Sequence, residues 1–357
     1  MSTQTFDASK AEAFAERMID ILNAGAISLM TSIGHRTELF DTLAKLPPAT
    51  SQHIADAAGL NERYVREWLN GMVTARLIEY DPIAKIYSLP SEHAAFLTRT
   101  TSAENIAPFA QYIALMGTVE DKVVDCFYKG GGVPYSEYKR FHEVMAEDSG
   151  QTVVPALFDH ILPLISGLKE ALQQGIEVMD LGCGRGRALV KLAEAFPNSH
   201  FIGYDFSGEA IAYANSEVQR RNLSNVQFQV KDAASLEEVD RYDFITTFDA
   251  IHDQARPDRV LQNIYRSLRS NGVYLMQDIH ASTDVSSNLD HPVGPFLYTI
   301  SCMHCMTVSL AYGGMGLGTM WGQEKALQML SDAGFTRVEV QQLAHDFQND
   351  YYIIHKN

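Results

Sequence analysis

The chain has 357 residues and a formal net charge of −16 at pH 7, and 46% of its residues are hydrophobic. This length favours two domains over one, and the apolar content is sufficient for a large core. The excess of acids, spread along the chain, argues against a partner that offers a phosphate backbone, and the four cysteines do not form a disulfide framework.

The sequence shows no recognisable targeting signal or membrane span. Residues 1–5 (Met-Ser-Thr-Gln-Thr) lack the pattern of a signal peptide, and no apolar stretch is long enough to cross a bilayer. We therefore expect a cytoplasmic protein with no membrane partner.

Residues 9–46 show the apolar periodicity of two helices. Phe14, Met18, Ile19 and Leu22 form one apolar stripe on them. Such a stripe packs either within its own chain or on a partner chain. Because it exceeds what a small domain can hide alone, we expect the N-terminal region to form a two-fold homodimer.

The next residues have the pattern of a helix-turn-helix with a wing. A short helix is capped at Thr50 and ends at Gly59. Asn61 caps a longer helix over residues 62–77, and residues 78–89 complete a small hairpin. This order of elements predicts a winged helix.

The charge balance of this motif distinguishes two roles for it. A protein that reads DNA needs a basic face. The motif instead has more acids than bases. The five acids are Asp56, Glu62, Glu67, Glu79 and Asp81, and the four bases are Arg63, Arg66, Arg76 and Lys85. We therefore expect a structural or dimerising winged helix, and no nucleic-acid partner.

Residues 92–168 read as helical, with a break at the loop 129–134 (Lys-Gly-Gly-Gly-Val-Pro). Tyr135, Tyr138 and Phe141 follow this loop. They either close over a pocket as a lid or belong to a plain connection between helices, and the sequence leaves both interpretations open.

A glycine-rich motif lies at residues 177–186, Glu-Val-Met-Asp-Leu-Gly-Cys-Gly-Arg-Gly. It reads as a short apolar strand with Asp180 near its end, followed by a turn that contains Gly182, Gly184 and Gly186. Glycine lets a ligand approach the backbone, and the N-terminus of the helix that follows favours an anionic group. A nicotinamide dehydrogenase would show the spacing G-x-G-x-x-G, so we disfavour that class.

Acids stand at or just past the carboxyl ends of the next four predicted strands, which cover residues 199–204, 226–230, 242–248 and 272–277. Open α/β sheets bind ligands at this edge. Asp205, about twenty residues past the glycines, can hold both hydroxyls of a ribose. Phe206 can then lie against the sugar or the adenine.

After the fifth strand, residues 279–320 form an insertion that is too long for a bare loop and contains a predicted helix at 295–311. A helix at 324–333 follows. A closing antiparallel hairpin at 336–341 and 351–355 then completes the predicted sheet.

Within the insertion, Cys302, His304 and Cys305 are close together and suggest zinc or a trivalent arsenical. A structural zinc needs a fourth ligand. On a helix, Cys302 and Cys305 share a face while His304 points elsewhere. We therefore favour pocket lining or plain core for these residues, and we assign no metal site.

The Asp-x-Gly-x-Gly-x-Gly motif, the sheet pattern and the winged helix together resemble class I S-adenosylmethionine (SAM) methyltransferases that have an N-terminal winged-helix domain. These include plant and bacterial O-methyltransferases. The resemblance covers nearly the whole chain and implies an α/β fold. In this fold a Rossmann-like, mostly parallel sheet with one antiparallel edge strand follows a mostly α winged-helix domain. It also implies SAM as the cofactor and a small-molecule methyl acceptor.

The resemblance assigns the cofactor site and the domains. Asp232 matches the acid that accepts from the adenine amino group, and the full predicted set is Asp180, Gly182, Gly184, Gly186, Asp205, Phe206, Asp232, Ala233 and Phe248. The predicted domains are a helical and winged-helix dimerisation domain at 1–98, a helical connector or lid at 99–172, and the SAM-binding domain at 173–357.

The resemblance also implies a catalytic group. In the family, a His-Asp pair follows the fourth strand and its histidine is the base, and His252 and Asp253 occupy this place. Asp278 matches the acid that holds the base, although Asp253 could do so instead. The family's Trp after the pair is Gln254 here, and the segment around Cys302 is not part of the plant pattern, so the motif does not specify an aromatic acceptor.

A histidine titrates near neutral pH and can take the proton of a hydroxyl acceptor. We therefore predict a SAM-dependent methyltransferase that acts on a hydroxyl of a small molecule, with a rate that rises with pH near neutrality. The alternatives are that His252 only caps the following helix, and that the chain is a SAM-binding transcriptional regulator whose winged helix binds DNA.

Overall fold

The computed structural model describes residues 6–99 and 105–356. The chain divides into two compact units, Met1–Gly117 and Thr118–Asn357. Residues 1–5, on which the expectation about a signal peptide depends, lie outside the described part.

The described part of the first unit contains six α-helices and one hairpin of two strands. These are α1 (Ala8–Arg36), α2 (Leu39–Lys45), α3 (Ser51–Ala58), α4 (Glu62–Thr74), β1 (Glu79–Asp81), β2 (Ile86–Ser88), α5 (Ser91–Leu97) and α6 (Ala110–Gly117), with a 3₁₀ turn at Ala107–Phe109.

The helix-turn-helix with a wing forms as predicted. The Thr50 side chain accepts from the backbone N–H of His53, and Asn61 caps α4 in the same way. Helix α4 ends at Thr74, earlier than the sequence suggested, because Arg76 has a φ of 62° and leaves the helical region.

Helix α4 supplies the centre of the first unit's core. Its buried residues lie on one face. Among them, Trp68 donates its indole N–H to the carbonyl of Met30 at 2.8 Å and lies edge-on to Phe40. By contrast, the apolar residues toward the start of α1 are exposed, including Phe14 and Leu22.

The second unit contains ten α-helices and seven strands in its described residues. The strands are β3 (Glu177–Leu181), β4 (His200–Asp205), β5 (Val226–Val230), β6 (Tyr242–Phe248), β7 (Leu268–Ile279), β8 (Arg337–Leu343) and β9 (Asp346–His355). The helices are α7 (Glu120–Lys129), α8 (Phe141–Gln151), α9 (Val153–Ala156), α10 (Leu168–Gln174), α11 (Arg187–Ala195), α12 (Gly208–Arg221), α13 (Pro257–Ser267), α14 (Gly294–Ile300), α15 (Met306–Ala311) and α16 (Gln323–Asp332). Shorter helical turns are Tyr135–Glu137, Leu157–Ile161, Leu162–Leu164, Ala233–Ser235, Val285–Asn288 and Ser301–Cys305.

The seven strands form one sheet in the order β5-β4-β3-β6-β7-β9-β8. The first five strands are parallel, and β9 runs antiparallel to both of its neighbours, with β8 at the edge. The chain leaves β3 toward β5 and then returns to place β6 on the other side of β3. This reversal of strand order is where open α/β sheets bind ligands, and the predicted fold class is confirmed.

Both faces of the sheet are covered. Successive residues of β3 point to opposite faces, so Val178 joins the core that contains Leu189, while Met179 joins the one that contains Leu261. Such two-sided burial explains why the central strands are continuous apolar runs.

In the described residues no single helix has the length and apolar content of a membrane span. Only a pair of segments, Phe141–Leu164 and Leu168–Gln174, meets that test together, across a bend of 107°.

Candidate active site

Gly182, Gly184 and Gly186 form the turn between β3 and α11, and their φ angles of 71°, 53° and 70° lie in the region that favours glycine. An added Cβ at Gly182 would lie 2.5 Å from that of Ala250, and one at Gly186 would overlap the ring of Phe228. At Gly184 an added Cβ would meet no atom within 4 Å. The turn therefore has one bare stretch of backbone, at Gly184.

Asp205, the last residue of β4, anchors this turn. Its carboxylate accepts hydrogen bonds from the backbone N–H of Gly184 at 2.9 Å and of Ser207 at 2.8 Å. Burial raises the pKa of Asp205, although these two hydrogen bonds and nearby His142 oppose the increase. Each carboxylate oxygen keeps a further lone pair, so the anchored group can still accept from hydroxyls.

Asp180 has a more internal position than the ligand interpretation suggests. It is buried in β3 and accepts a hydrogen bond from the hydroxyl of Thr246 in β6 at 2.8 Å. Burial raises the pKa of Asp180 to about 7. This bond joins the two strands that flank the reversal of strand order.

The remaining predicted cofactor residues follow the same edge of the sheet. Asp232, just past β5, is exposed and caps a short turn, and Ala233 is buried in the core beside it. Phe206 is 44% exposed and lies edge-on to Tyr135, with ring centroids 4.9 Å apart. Phe248 ends β6 and is half-buried.

The parallel pairing of β6 and β7 brings His252 and Asp278 together. The Nδ1 atom of His252 lies 2.7 Å from Oδ1 of Asp278, and both side chains are buried. The same oxygen accepts from the backbone N–H of Ile279 at 2.9 Å and from the indole N–H of Trp321 at 3.1 Å. These contacts fix the orientation of the carboxylate and, through it, of the imidazole.

The surroundings of His252 shift its titration. Burial alone would lower the pKa of His252, but the charge of Asp278 and the adjacent Cys305 thiol outweigh it, and the pKa is well above its ordinary value. The other candidate partner, Asp253, does not hold Nδ1 in the structure. Burial raises the pKa of the Asp253 carboxyl to about 7, and Gln254 donates to it at 3.4 Å.

The helix that carries Cys302 differs from the prediction at one point. Residues Ser301–Cys305 form a wide π-type turn between α14 and α15. Because this turn holds more residues than an α-helical one, His304 and Cys305 become the buried pair, with Nδ1 and Sγ 3.5 Å apart. Cys302 is only half-buried. The expectation that the two cysteines share a face and that His304 points elsewhere is therefore wrong.

His304 joins a cluster of aromatic rings. It stacks on Phe141 with ring centroids 3.6 Å apart, and Tyr135 and Tyr138 lie edge-on to it. The Tyr138 hydroxyl donates to the carbonyl of Met303. Burial lowers the pKa of His304 well below its ordinary value, so this ring is neutral at physiological pH.

The sequence analysis assigned no individual role to two residues of this site. Trp321 is 43 residues from Asp278 in the chain and belongs to no local motif. Asp249 directly follows β6, and one of its carboxylate oxygens lies within 4.8 Å of side-chain atoms of His252 and Asp278. The only available signal for Asp249 was its position at a strand end.

Two family models match the chain. Residues 25–99 match the Rv2258c-like winged HTH domain, and residues 172–334 match a methyltransferase domain. The first match covers the helix-turn-helix and wing, and the second covers the sheet from β3 to β7 and helix α16.

Curated proteins resemble part of the chain. A malonyl-[acyl-carrier protein] O-methyltransferase of Bacillus cereus is 28% identical over 165 residues, which cover 43% of this chain and 55% of that protein. An arsenite methyltransferase of Aquipseudomonas alcaligenes is 33% identical over 128 residues, which cover 33% and 37%. The chain thus spans about half the length, or less, of these two relatives.

Solved structures resemble the chain along nearly its full length. Human N-acetylserotonin methyltransferase in complex with SAM has a TM-score of 0.68 and 15% identity and covers 100% of both chains. Mitomycin 7-O-methyltransferase MmcR has a TM-score of 0.68 and 15% identity and covers 98% of this chain and 100% of that one. At such identities the similarity establishes the fold.

The two family matches and the shared fold confirm the resemblance that the sequence motifs indicated. They agree on the order of the two domains along the chain. The chain therefore contains an Rv2258c-like winged HTH domain at residues 25–99, followed by a methyltransferase domain at residues 172–334.

Proposed function

We propose that this protein is a SAM-dependent methyltransferase that methylates a hydroxyl of a small molecule, with His252 as the general base. The observation that carries this proposal is the buried His252–Asp278 pair, with Nδ1 and Oδ1 2.7 Å apart, at the carboxyl edge of β6 and β7. A fixed imidazole beside a carboxylate is the arrangement that general-base catalysis requires.

The residues at the reversal of strand order fit the cofactor. Gly184 leaves its backbone uncovered, and Asp205 lies beside it with a carboxylate that can take ribose hydroxyls. Asp232 and Phe206 lie further along the same edge, where the adenosine would extend. When bound, SAM supplies an activated methyl group on a sulfonium, so the protein has to position the acceptor and remove its proton.

The geometry of His252 defines the path of this proton. Because Nδ1 faces Asp278, the remaining ring nitrogen, Nε2, takes the proton from the acceptor hydroxyl. Asp278 stabilises the imidazolium that results. Cys305 interacts with His252, and its neighbour His304 belongs to the aromatic cluster, which supports these residues as part of the acceptor's surroundings.

The names of the relatives leave the acceptor open. They range from malonyl-[acyl-carrier protein] and arsenite to N-acetylserotonin and mitomycin. The test is a screen of small molecules with hydroxyl, thiol, amine or arsenite acceptors, read out as release of S-adenosylhomocysteine. We expect turnover with hydroxyl compounds, and turnover with thiols or arsenite alone would contradict the proposal.

A second candidate function is regulation of transcription through the winged helix, because a winged HTH family model matches residues 25–99. The surface of α4 argues against it, since Arg63 pairs with Glu67 and Arg66 pairs with Glu62. We expect no electrophoretic shift of mixed-sequence DNA at low salt. A shift that weakens steeply with salt would favour the regulator.

We further propose that the protein is a cytoplasmic homodimer formed through its N-terminal helices. The support for the dimer is the exposed stripe of α1, where Phe14, Ile19 and Leu22 are each at least 60% exposed in the single chain. Exposed apolar residues of this density on one helix mark an interaction surface.

A further inference from the structure

Asp249 forms a cluster with His252 and Asp278. One side-chain nitrogen or oxygen atom from each of the three residues lies within 4.8 Å of the corresponding atoms of the other two. The proton path described above uses His252 and Asp278 but assigns nothing to Asp249, the third member of this cluster.

The backbone holds Asp249 in an unusual conformation. Its φ is 48°, a left-handed value that residues other than glycine rarely adopt. Its N–H donates to the carbonyl of Gln277 at 3.0 Å, and the side-chain amide of Gln277 donates to its Oδ2 at 3.3 Å. Strand β7 therefore fixes both the main chain and the side chain of Asp249. A backbone conformation of this kind persists where the surrounding structure uses it to position a functional group.

The carboxyl groups of Asp249 and Asp278 receive different numbers of hydrogen bonds. Oδ1 of Asp249 and Oδ2 of Asp278 are both buried without a hydrogen-bond partner among the described residues. The other oxygen of Asp278 receives N–H groups from His252, Ile279 and Trp321, whereas Asp249 receives one long bond.

Two carboxylates this close, one on buried Asp278 and one on half-buried Asp249, cannot both be charged without a large cost in free energy. Donated hydrogen bonds favour the charged form, so they favour charge on Asp278. The proton that the pair has to hold therefore belongs to Asp249.

The charged groups around Asp249 support the same assignment. Besides Asp278, the acids that face it are Asp148 of α8 and Asp346 of β9, and His252 is the basic group among those acting on it. Burial raises the pKa of the Asp249 carboxyl well above its ordinary value, and the charge of Asp278 adds to this increase, while His252 opposes it.

We propose that Asp249 is a positioning residue that stays protonated and donates its O–H to Asp278, which leaves Asp278 as the single anion that orients His252. A proton on Oδ1 of Asp249 turns that atom into a donor, and Oδ2 of Asp278 is an acceptor without a partner in the same cluster. This proposal rests on the proposed role of His252.

The first test is a titration of His252 by NMR in the full chain with ¹⁵N-labelled histidine, from about pH 5 to about pH 10. The signal is assigned by its loss in His252→Ala. Asp249→Asn keeps a neutral donor and tolerates the left-handed backbone. We expect Asp249→Asn to leave the pKa of His252 unchanged, and the control Asp278→Asn to lower it.

The opposite result would be clear. If Asp249 were an anion in the wild type, Asp249→Asn would remove a charge from the surroundings of His252. The pKa of His252 would then fall by about 2, as expected for a charge at this distance in a partly screened interior. Such a decrease would overturn the proposal.

The second test is thermal unfolding as a function of pH. Below the pKa of an ordinary Asp, about 3.9, Asp249 is protonated in both states and contributes no pH dependence. Above it, the unfolded chain loses this proton and the folded chain keeps it, so the wild type loses stability relative to Asp249→Asn until the raised folded pKa is reached.

We therefore expect the Tm values of Asp249→Asn and the wild type to be similar only near pH 4. Toward pH 7, the Tm of Asp249→Asn should rise relative to that of the wild type. A Tm difference that does not change with pH would contradict a protonated Asp249. Neither measurement requires methyl transfer, so the failure of this inference is distinguishable from the failure of His252 as a base, which turnover of His252→Ala tests.

Discussion

At the scale of single residues, His252 carries the proposed chemistry. We expect His252→Ala to lower kcat on the order of 100–10,000-fold, because the acceptor keeps its proton, while SAM affinity measured by calorimetry stays the same. His200→Ala is a suitable control, because His200 is exposed at the start of β4. A rate for His252→Ala within a few-fold of the wild type would move the chemistry toward Cys305 and His304.

The pH dependence of the rate follows from the same residue. General-base catalysis needs the neutral imidazole, and the Asp278 charge and Cys305 raise the pKa of His252 well above its ordinary value despite burial. We therefore expect kcat to increase with pH through a group that titrates above about 6.5, higher than the sequence alone suggested. Asp278→Asn should give a smaller loss of kcat than His252→Ala and move this limb to lower pH. A limb that stays in place in Asp278→Asn would contradict the pairing.

Asp205 provides the corresponding test of the cofactor site. Asp205→Ala removes a proposed contact with the ribose and also releases the N–H of Gly184, so it should cost about 2–3 kcal/mol of SAM binding free energy. Asp232→Ala is the matched control and should cost less, because Asp232 is exposed. Calorimetry that shows unchanged affinity in a folded Asp205→Ala variant would rule out the assignment.

At the scale of elements, the loop before Tyr135 packs against helix α15. The Val133 N–H donates to the Thr307 hydroxyl at 3.0 Å, and an added Cβ at Gly132 would overlap the Thr307 carbonyl. We expect Gly132→Ala to separate the loop from α15, seen as faster hydrogen exchange at Val133 and a lower Tm.

The neighbouring glycine is the control for this prediction. An added Cβ at Gly131 would meet no atom within 4 Å, although its φ of 78° makes alanine strained there. Gly131→Ala should therefore lower Tm by the strain alone, without faster exchange at Val133. Equal exchange in the two variants would mean that this packing does not hold the loop.

At the scale of the whole molecule, the exposed stripe of α1 predicts association. Light scattering at micromolar concentration should give the mass of a dimer for the wild type. Leu22→Glu places a charge on the stripe and should shift the mass toward the monomer. Ile83→Glu, at a residue that is 93% exposed in the wing, should leave the mass unchanged. A monomeric wild type would contradict the proposed dimer.

The sequence by itself determined the elements that depend on local signals. Thr50, Asn61 and Gly59 marked the ends of helices α3 and α4, and the three alternate glycines after Asp180 marked the turn between β3 and α11. Caps, glycine φ angles and strand ends are properties of neighbouring residues, so the sequence pattern contains them directly.

The tertiary structure alone decided which side chains complete the site. The contact of Trp321 with Asp278 joins positions 43 residues apart, and the placing of Asp249 against the same carboxylate depends on the pairing of β6 with β7. At the wide turn Ser301–Cys305, His304 is buried beside Cys305 in the place where Cys302 was expected, because an extra residue in a helical turn rotates the side chains that follow. Such contacts depend on packing between distant segments, and local periodicity does not encode them.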